Sequence, residues 1–337
     1  MDAIIHDVAL ADYLSANPQA GMLLPSANGP PQGVYFDRCV LNNRLMFPVT
    51  PDLRCFRNEF GIFRDAVYDM VGRSPSPVPL HALENPAPAG KYLGVGGSGN
   101  YYHWCLDFLP RLAFQAFIPD GAERRIIIDR NPNAWQAASL RLFMMGLGLE
   151  TIDLFVNPGE WTSYQDCFVP LPVRQRSVAI WDVVLNRTRA FLPAPSGAKR
   201  LFIMRTNADK RFPVNQQDVA AVLESMGFLC IDPGTLSFEQ QVALCGDAEI
   251  IVGCHGAALT NILFAPAGAV LVELHGSVRQ PFFGQLSAMR GLRYLDITCA
   301  DVADSSRDVI ERDYVIPLDA LLEQLSNLGV RLGPPVS

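Results

Sequence analysis

Ile250-Ile251-Val252-Gly253-Cys254-His255-Gly256-Ala257-Ala258-Leu259-Thr260-Asn261 opens as an unbroken apolar run and closes on glycine, histidine and small residues. Residues 250–252 read as a buried strand, because a parallel sheet covered on both faces gives continuous rather than alternating apolar runs. The small residues after it let backbone approach a ligand. A helix opening near Ala257 presents unpaired N–H groups that attract phosphate. His255 falls at the carboxyl end of the strand, where open α/β sheets hold their ligands. On these residues alone the loop is either a ligand site or a glycine turn carrying a structurally bonded histidine.

Between Ile250 and Val272 the only acidic or basic residue is His255, so a hydropathy window scores the stretch as a membrane span. Gly253, Gly256, Asn261, Pro266 and Gly268 divide it into strand, loop, short helix and strand, which excludes that reading. Around it the pattern is regular. A strand is expected at 200–204, then a helix over 216–226 capped by Asn215, with Asp218 in its first turn and Gly227 past its end. A strand at 228–231, a helix opened by a Ser237–Gln240 capping box and a strand at 269–274 follow. This β-α-β-α-β-α-β order predicts a parallel sheet with right-handed crossovers. An amphipathic helix over 318–328 ends the pattern.

Upstream, residues 192–199 contain Pro193, Pro195, Ser196 and Gly197 without apolar period and read as a linker. Before them come a strand at 91–95, a glycine loop at 96–100, and a helix over 101–117 interrupted near Pro110. A strand at 125–129, a helix over 134–146, a strand at 166–170 and a helix over 181–191 complete this half. Residues 1–90 are punctuated by Pro and Gly and offer only short strand candidates at 33–36 and 44–47. A chain of 337 residues fills two domains of roughly 100–200 residues each. The expected division is 1–191, linker 192–199, 200–305, and a tail 306–337 that packs back on the first domain.

Composition narrows the function. Hydrophobic residues make up 49 % and charged residues 18 %, enough for two cores and too little charge for a disordered chain. With 27 basic against 34 acidic residues and no basic block, nucleic acid is excluded as a partner, although a local Arg cluster can still hold a small phosphate ligand. The eight cysteines form no C-x-x-C pair and mostly sit in apolar runs, as expected of free thiols in a reducing cytosol. The N-terminus has no positive n-region and is not read as a signal peptide. The expectation is a cytoplasmic protein with no integral membrane span and with room for peripheral membrane contact.

A second constellation lies at Gly99-Asn100-Tyr101-Tyr102-His103-Trp104-Cys105-Leu106-Asp107-Phe108-Leu109-Pro110-Arg111. On a helix, His103, Asp107 and Arg111 are successive i,i+4 neighbours, and Asn100 joins their stripe. Either Asp107 and Arg111 form an internal salt bridge, or the stripe is a site where Asp107 deprotonates an acceptor hydroxyl with His103 assisting. The glycines at 94–99 superficially resemble a dinucleotide fingerprint and are read as a loop that lets another domain's ligand approach. Arg205, Lys210 and Arg211 follow the strand at 200–204, and arginine makes bidentate contacts to phosphate. Glu273 ends a strand where ribose hydroxyls bind, and Glu239 lies early in a helix; each is alternatively a structural carboxylate. No D-x-D, H-E-x-x-H, G-x-S-x-G or Walker A motif occurs.

Leu236-Ser237-Phe238-Glu239-Gln240-Gln241-Val242, Ala248–Gly253, His255–Phe264 and Val272-Glu273-Leu274 resemble the signature of glycosyltransferase family 61. Asn100–Trp104 with Asp107 and Leu109–Leu112 resembles the same family's N-terminal motif, and Arg205, Arg211 and Asn215 fall where the family carries such residues. The resemblance spans about residues 91–296. Ala258 stands where the family often has Gly, and Gln216 where an acid is common. It implies a GT-B fold, two Rossmann-like domains facing across a cleft. It also implies inverting, metal-independent transfer from a nucleotide sugar, commonly UDP-linked, to a hydroxyl of a glycan or glycoconjugate, as in surface polysaccharide synthesis. No cofactor or metal is expected. Asp107 and His103 become the catalytic candidates, with Asn100 and Arg111 on the acceptor side. Arg205, Arg211, Asn215, Glu239, His255, Gly256, Ala257, Asn261 and Glu273 become the donor-binding candidates. The competing readings are a non-catalytic nucleotide- or sugar-binding module and an NAD(P)-dependent oxidoreductase on the 94–99 loop.

Overall fold

The apolar run at 250 is the strand Ile250–Cys254, central in a five-stranded parallel sheet. The sheet runs Leu229–Ile231, Arg200–Ile203, Ile250–Cys254, Val270–His275, Arg293–Thr298. Numbered along the chain this is the order 2-1-3-4-5. The winding reverses between Arg200–Ile203 and Ile250–Cys254, and such a switch point leaves a ligand crevice at the carboxyl ends of the two strands. Arg205 and His255 sit just beyond those ends. The computed structural model describes residues 2–3, 6–7, 9–17, 21–26, 29–43, 46–52, 54–56, 60, 78–79, 86–157, 161–194, 196–206, 209–304 and 306–331. The strand candidate at 44–47 falls partly outside them.

Helices Gln216–Ser225, Phe238–Asp247 and Phe282–Arg290 and the 3-10 segment Ala257–Phe264 connect these strands. Ser237 and Gln240 form the expected capping box. Asn215 does not cap its helix: its side chain bonds both backbone groups of Ile316, at 2.9 and 2.8 Å. The strand Arg293–Thr298 escaped the apolar pattern because it is an edge strand with mostly half-exposed, polar residues. Phe202, Val252, Val272, Leu274, Val219 and Leu223 form the core of this half. Leu321 and Leu325 of the helix Leu318–Asn327 are buried in that same core. The helix Leu318–Asn327 therefore belongs to the C-terminal unit.

The chain divides into two compact units, Met1–Thr188 and Arg189–Ser337. In the first, Tyr92–Gly94, Arg125–Ile128 and Leu154–Val156 are parallel neighbours, joined through the helical stretch after Asn100 and the helix Ala134–Leu147. Trp161–Pro170 pairs in parallel with Tyr92–Gly94 on one side and antiparallel with Gly29–Asn42 on the other. Parallel strands joined by helical crossovers thus span 92–156, with Trp161–Pro170 added in parallel beside Tyr92–Gly94. The residues before Tyr92 add mostly antiparallel strands, which short turns can join, and one parallel pair, His6–Asp7 with Arg54–Cys55. The helix expected at 181 begins earlier, as Arg174–Thr188.

Candidate active site

At the switch point, His255 is buried and held at both ring nitrogens. Its Nδ1 lies 2.5 Å from Glu273 Oε1 and its Nε2 2.8 Å from Gln280 Oε1. Glu273 is 1 % exposed, and its second oxygen accepts from the Tyr294 hydroxyl at 2.7 Å. Both carboxylate oxygens are engaged within the protein, and Glu273 orients the His255 ring. His255 opens on a crevice walled also by Arg211, His275, Gln280, Arg312 and Tyr314. His275 is fixed by the Gly276 carbonyl at 2.7 Å and Asp296 at 3.1 Å.

Of the other donor-side candidates, only Arg211 lines this cavity. Arg205 reaches the carbonyls of His255 (3.3 Å) and Lys210 (3.1 Å), and burial together with the Arg211 charge lowers its pKa. A Cβ on Gly256 would lie 1.9 Å from Arg205 Nη1, which is why glycine stands there. The Gln216 amide bonds both the N–H and the carbonyl of Arg205 at 3.0 Å, giving the residue that replaces the usual acid a role in setting this strand end. Asn261 is fully buried and donates to Gln241 at 2.8 Å, tying the 3-10 segment that Ala257 begins to the neighbouring helix. Glu239 is half-buried in the first turn of its helix, and Asn215 is bound to Ile316. These residues shape the crevice rather than line it.

In the N-terminal unit the stretch after the glycine loop is irregular. Asn100 caps one α-turn, Tyr101–His103, by accepting from the N–H groups of Tyr102 and His103. A π-turn, Trp104–Phe108, and a 3-10 turn, Leu109–Ala113, follow. His103 Nδ1 meets Asp107 Oδ2 at 2.8 Å as the spacing predicts. Arg111 does not pair with Asp107, because the π-turn and the 3-10 turn change the rotation per residue between them. Its place is taken by Arg174, whose Nε and Nη2 donate to the two Asp107 oxygens at 2.7 and 2.6 Å. Asp107 is 2 % exposed. Burial works to raise its carboxyl, but the His103 and Arg174 hydrogen bonds outweigh burial and hold it below the ordinary carboxylate value. A carboxylate so stabilised is a weak base. Arg111 is fully buried over the Phe108 ring, and burial pulls it down to about 10.

Arg174, Gln280, His275, Tyr294 and Arg312 were not singled out from sequence. Arg174 lies 67 residues from Asp107, and no local spacing connects such pairs. The glycines at 94, 96 and 99 do carry the G-x-G-x-x-G spacing, but a Cβ on Gly97 would meet Asp129 Oδ1 at 1.9 Å. A carboxylate pressed on that loop opposes a pyrophosphate electrostatically. Among the described residues no group of three or more His, Cys, Asp or Glu is placed to hold a metal ion, and no helix is long and apolar enough to cross a membrane.

A switch-point crevice with histidine and arginine at a parallel sheet's carboxyl edge is the arrangement of a doubly wound α/β unit, where ligands of such sheets bind. Comparison with known families matches residues 101–272 to Glycosyltransferase 61, and the chain belongs to that family. It is 29 % identical over 118 residues to the EGF domain-specific O-linked N-acetylglucosamine transferase of Gallus gallus, covering 33 % of this chain and 22 % of that protein. It is 27 % identical over 139 residues to a beta-1,2-xylosyltransferase of Oryza sativa subsp. japonica, covering 39 % and 25 %. An alpha-1,3-arabinosyltransferase of the same plant is 28 % identical over 130 residues, covering 36 % and 22 %. The match spans a quarter or less of each of these relatives.

Proposed function

We propose that this glycosyltransferase moves a sugar from a nucleotide diphosphate donor, UDP-linked, to a hydroxyl of a glycan or glycoconjugate, with inversion and without a metal ion. The observation that carries the donor assignment is the cationic cavity beside His255 at the sheet's switch point. The acceptor hydroxyl attacks the anomeric carbon opposite the diphosphate; the new glycosidic C–O bond forms as the bond to phosphate breaks. His103 accepts the hydroxyl proton at Nε2, while Asp107, bonded to Nδ1, orients the ring, as the carboxylate does in a hydrolase triad. The arginines of the cavity hold the charge that develops on the diphosphate. A GT-B arrangement, one unit supplying the base and the other the donor clamp, is part of this reading. The eight free cysteines support a reducing compartment, in keeping with cytoplasmic surface-polysaccharide synthesis.

The test is a panel of UDP-N-acetylglucosamine, UDP-xylose and UDP-arabinose, scored for donor hydrolysis and thermal stabilisation with and without excess EDTA. Turnover of one donor that survives EDTA, with inverted product by NMR, is expected. Turnover abolished by EDTA and restored by a divalent cation overturns the metal-independent mechanism.

A further inference from the structure

Two segments distant in sequence are zipped together beside His255. Arg211 N donates to the Glu311 carbonyl (3.0 Å), Tyr314 N to the Phe212 carbonyl (3.1 Å) and Val214 N to the Tyr314 carbonyl (3.0 Å). Phe212 N donates to the Asp313 carboxylate at 2.8 Å, and Lys210 pairs with Glu311. Asn215 closes the zipper on Ile316. The result sets Arg211 and Arg312 on one cavity wall.

The Nε of each guanidinium is buried without a hydrogen-bond partner among the described residues, and the nearby carboxylates of Glu311 and Asp304 interact with Arg211 and Arg312 only electrostatically. A buried donor without an acceptor is unfavourable, so each Nε calls for an acceptor in the crevice, which an anionic ligand supplies. Arg211 also holds φ +57°, a conformation a residue with a Cβ rarely adopts and keeps only where its surroundings impose it. Arg205 differs: its guanidinium spans the His255 and Lys210 carbonyls and bridges the two loops from outside the cavity wall. Val278, Val309 and Ile310, all exposed, line the same cavity and place an apolar surface beside the cations.

Resting on the reading of this cavity as the donor site, we propose that Arg211 and Arg312 grip the donor's phosphates and that Arg205 is a positioning residue that sets the spacing of the two loops. Two guanidiniums present the forked donors that phosphate oxygens accept. The apolar side suits the base and ribose, so the ligand class is a nucleoside diphosphate.

The experiment is calorimetric titration of the full chain with UDP and, separately, inorganic pyrophosphate. Arg312→Ala is expected to weaken both by at least about tenfold, with Arg312→Lys recovering part of the loss. The Arg312 side chain makes no internal hydrogen bond among the described residues, so the variant should melt as the wild type does. Arg205→Ala should weaken binding too, and the double variant should lose less than the two singles combined, because the strut acts through the pair. Wild-type affinity in a folded Arg312→Ala overturns the cradle, and additive losses overturn the strut. A wild type that binds neither ligand overturns the donor site itself. Pyrophosphate binding that requires Arg312, without UDP binding, supports the cradle and removes the uridine assignment.

Discussion

Glu273 stands behind His255, 2.5 Å from its Nδ1, and is itself anchored by the Tyr294 hydroxyl. The carboxylate comes from the strand next to the one that carries the histidine, so the sheet's own register brings the two together.

If that contact orients the imidazole, Glu273→Gln should lower kcat/KM at least about tenfold, or ~1.4 kcal/mol of transition-state stabilisation. Tyr294→Phe should follow it in the same direction with a smaller effect. Steady-state kinetics over donor concentration check both, and an unchanged kcat/KM in Glu273→Gln removes the orienting role.

His103 and Asp107 should separate into base and support. His103→Ala is expected to lower kcat by about 10²–10⁴-fold with donor affinity intact. Asp107→Asn removes the carboxylate that Arg174 grips through two hydrogen bonds and should also cost about 2 kcal/mol of stability, the scale of hydrogen bonds to charged groups. Chemical denaturation and single-turnover rates measure the two effects independently. A full-rate His103→Ala enzyme would return the base to Asp107.

Acid titration tests the same pair. Burial raises the Asp107 carboxyl, and the His103 and Arg174 hydrogen bonds more than reverse it, so the native value lies below the unfolded one. Its contribution to stability is then complete above the unfolded value of about 4 and disappears as pH falls through the lower native value. Melting temperatures of wild type and Asp107→Asn should converge as pH falls from about 5 toward 3. A constant gap contradicts the ion pair.

Gly256→Ala should affect function more than stability. The added Cβ falls 1.9 Å from Arg205 Nη1, the far end of a flexible side chain that can swing away. The melting temperature should hardly move, whereas donor KM should rise at least about tenfold, the loss expected when a positioned charge is displaced. Restored donor KM in a large-to-small second variant is not expected, since among the described residues Arg205 bridges the two carbonyls. A wild-type donor KM in Gly256→Ala contradicts the strut.

Local pattern alone was sufficient for much of the C-terminal unit. The run 250–254, the Ser237–Gln240 box and the repeated strand–helix period are properties of neighbouring residues, and a parallel sheet follows from them. The His103–Asp107 contact was legible for the same reason, since four residues on a helical turn meet whatever surrounds them. Tertiary structure decided what those groups face. Asp107 took Arg174 rather than Arg111 once the π-turn rotated the stripe, Asn215 left its helix end for Ile316, and Glu273 met His255 from the neighbouring strand. Arg312 reached the cavity through a zipper between segments 101 residues apart. Sequence encodes periodicity and capping over a few residues. Which cation meets which carboxylate depends on strand order, register and burial, and these exist only once the chain is folded.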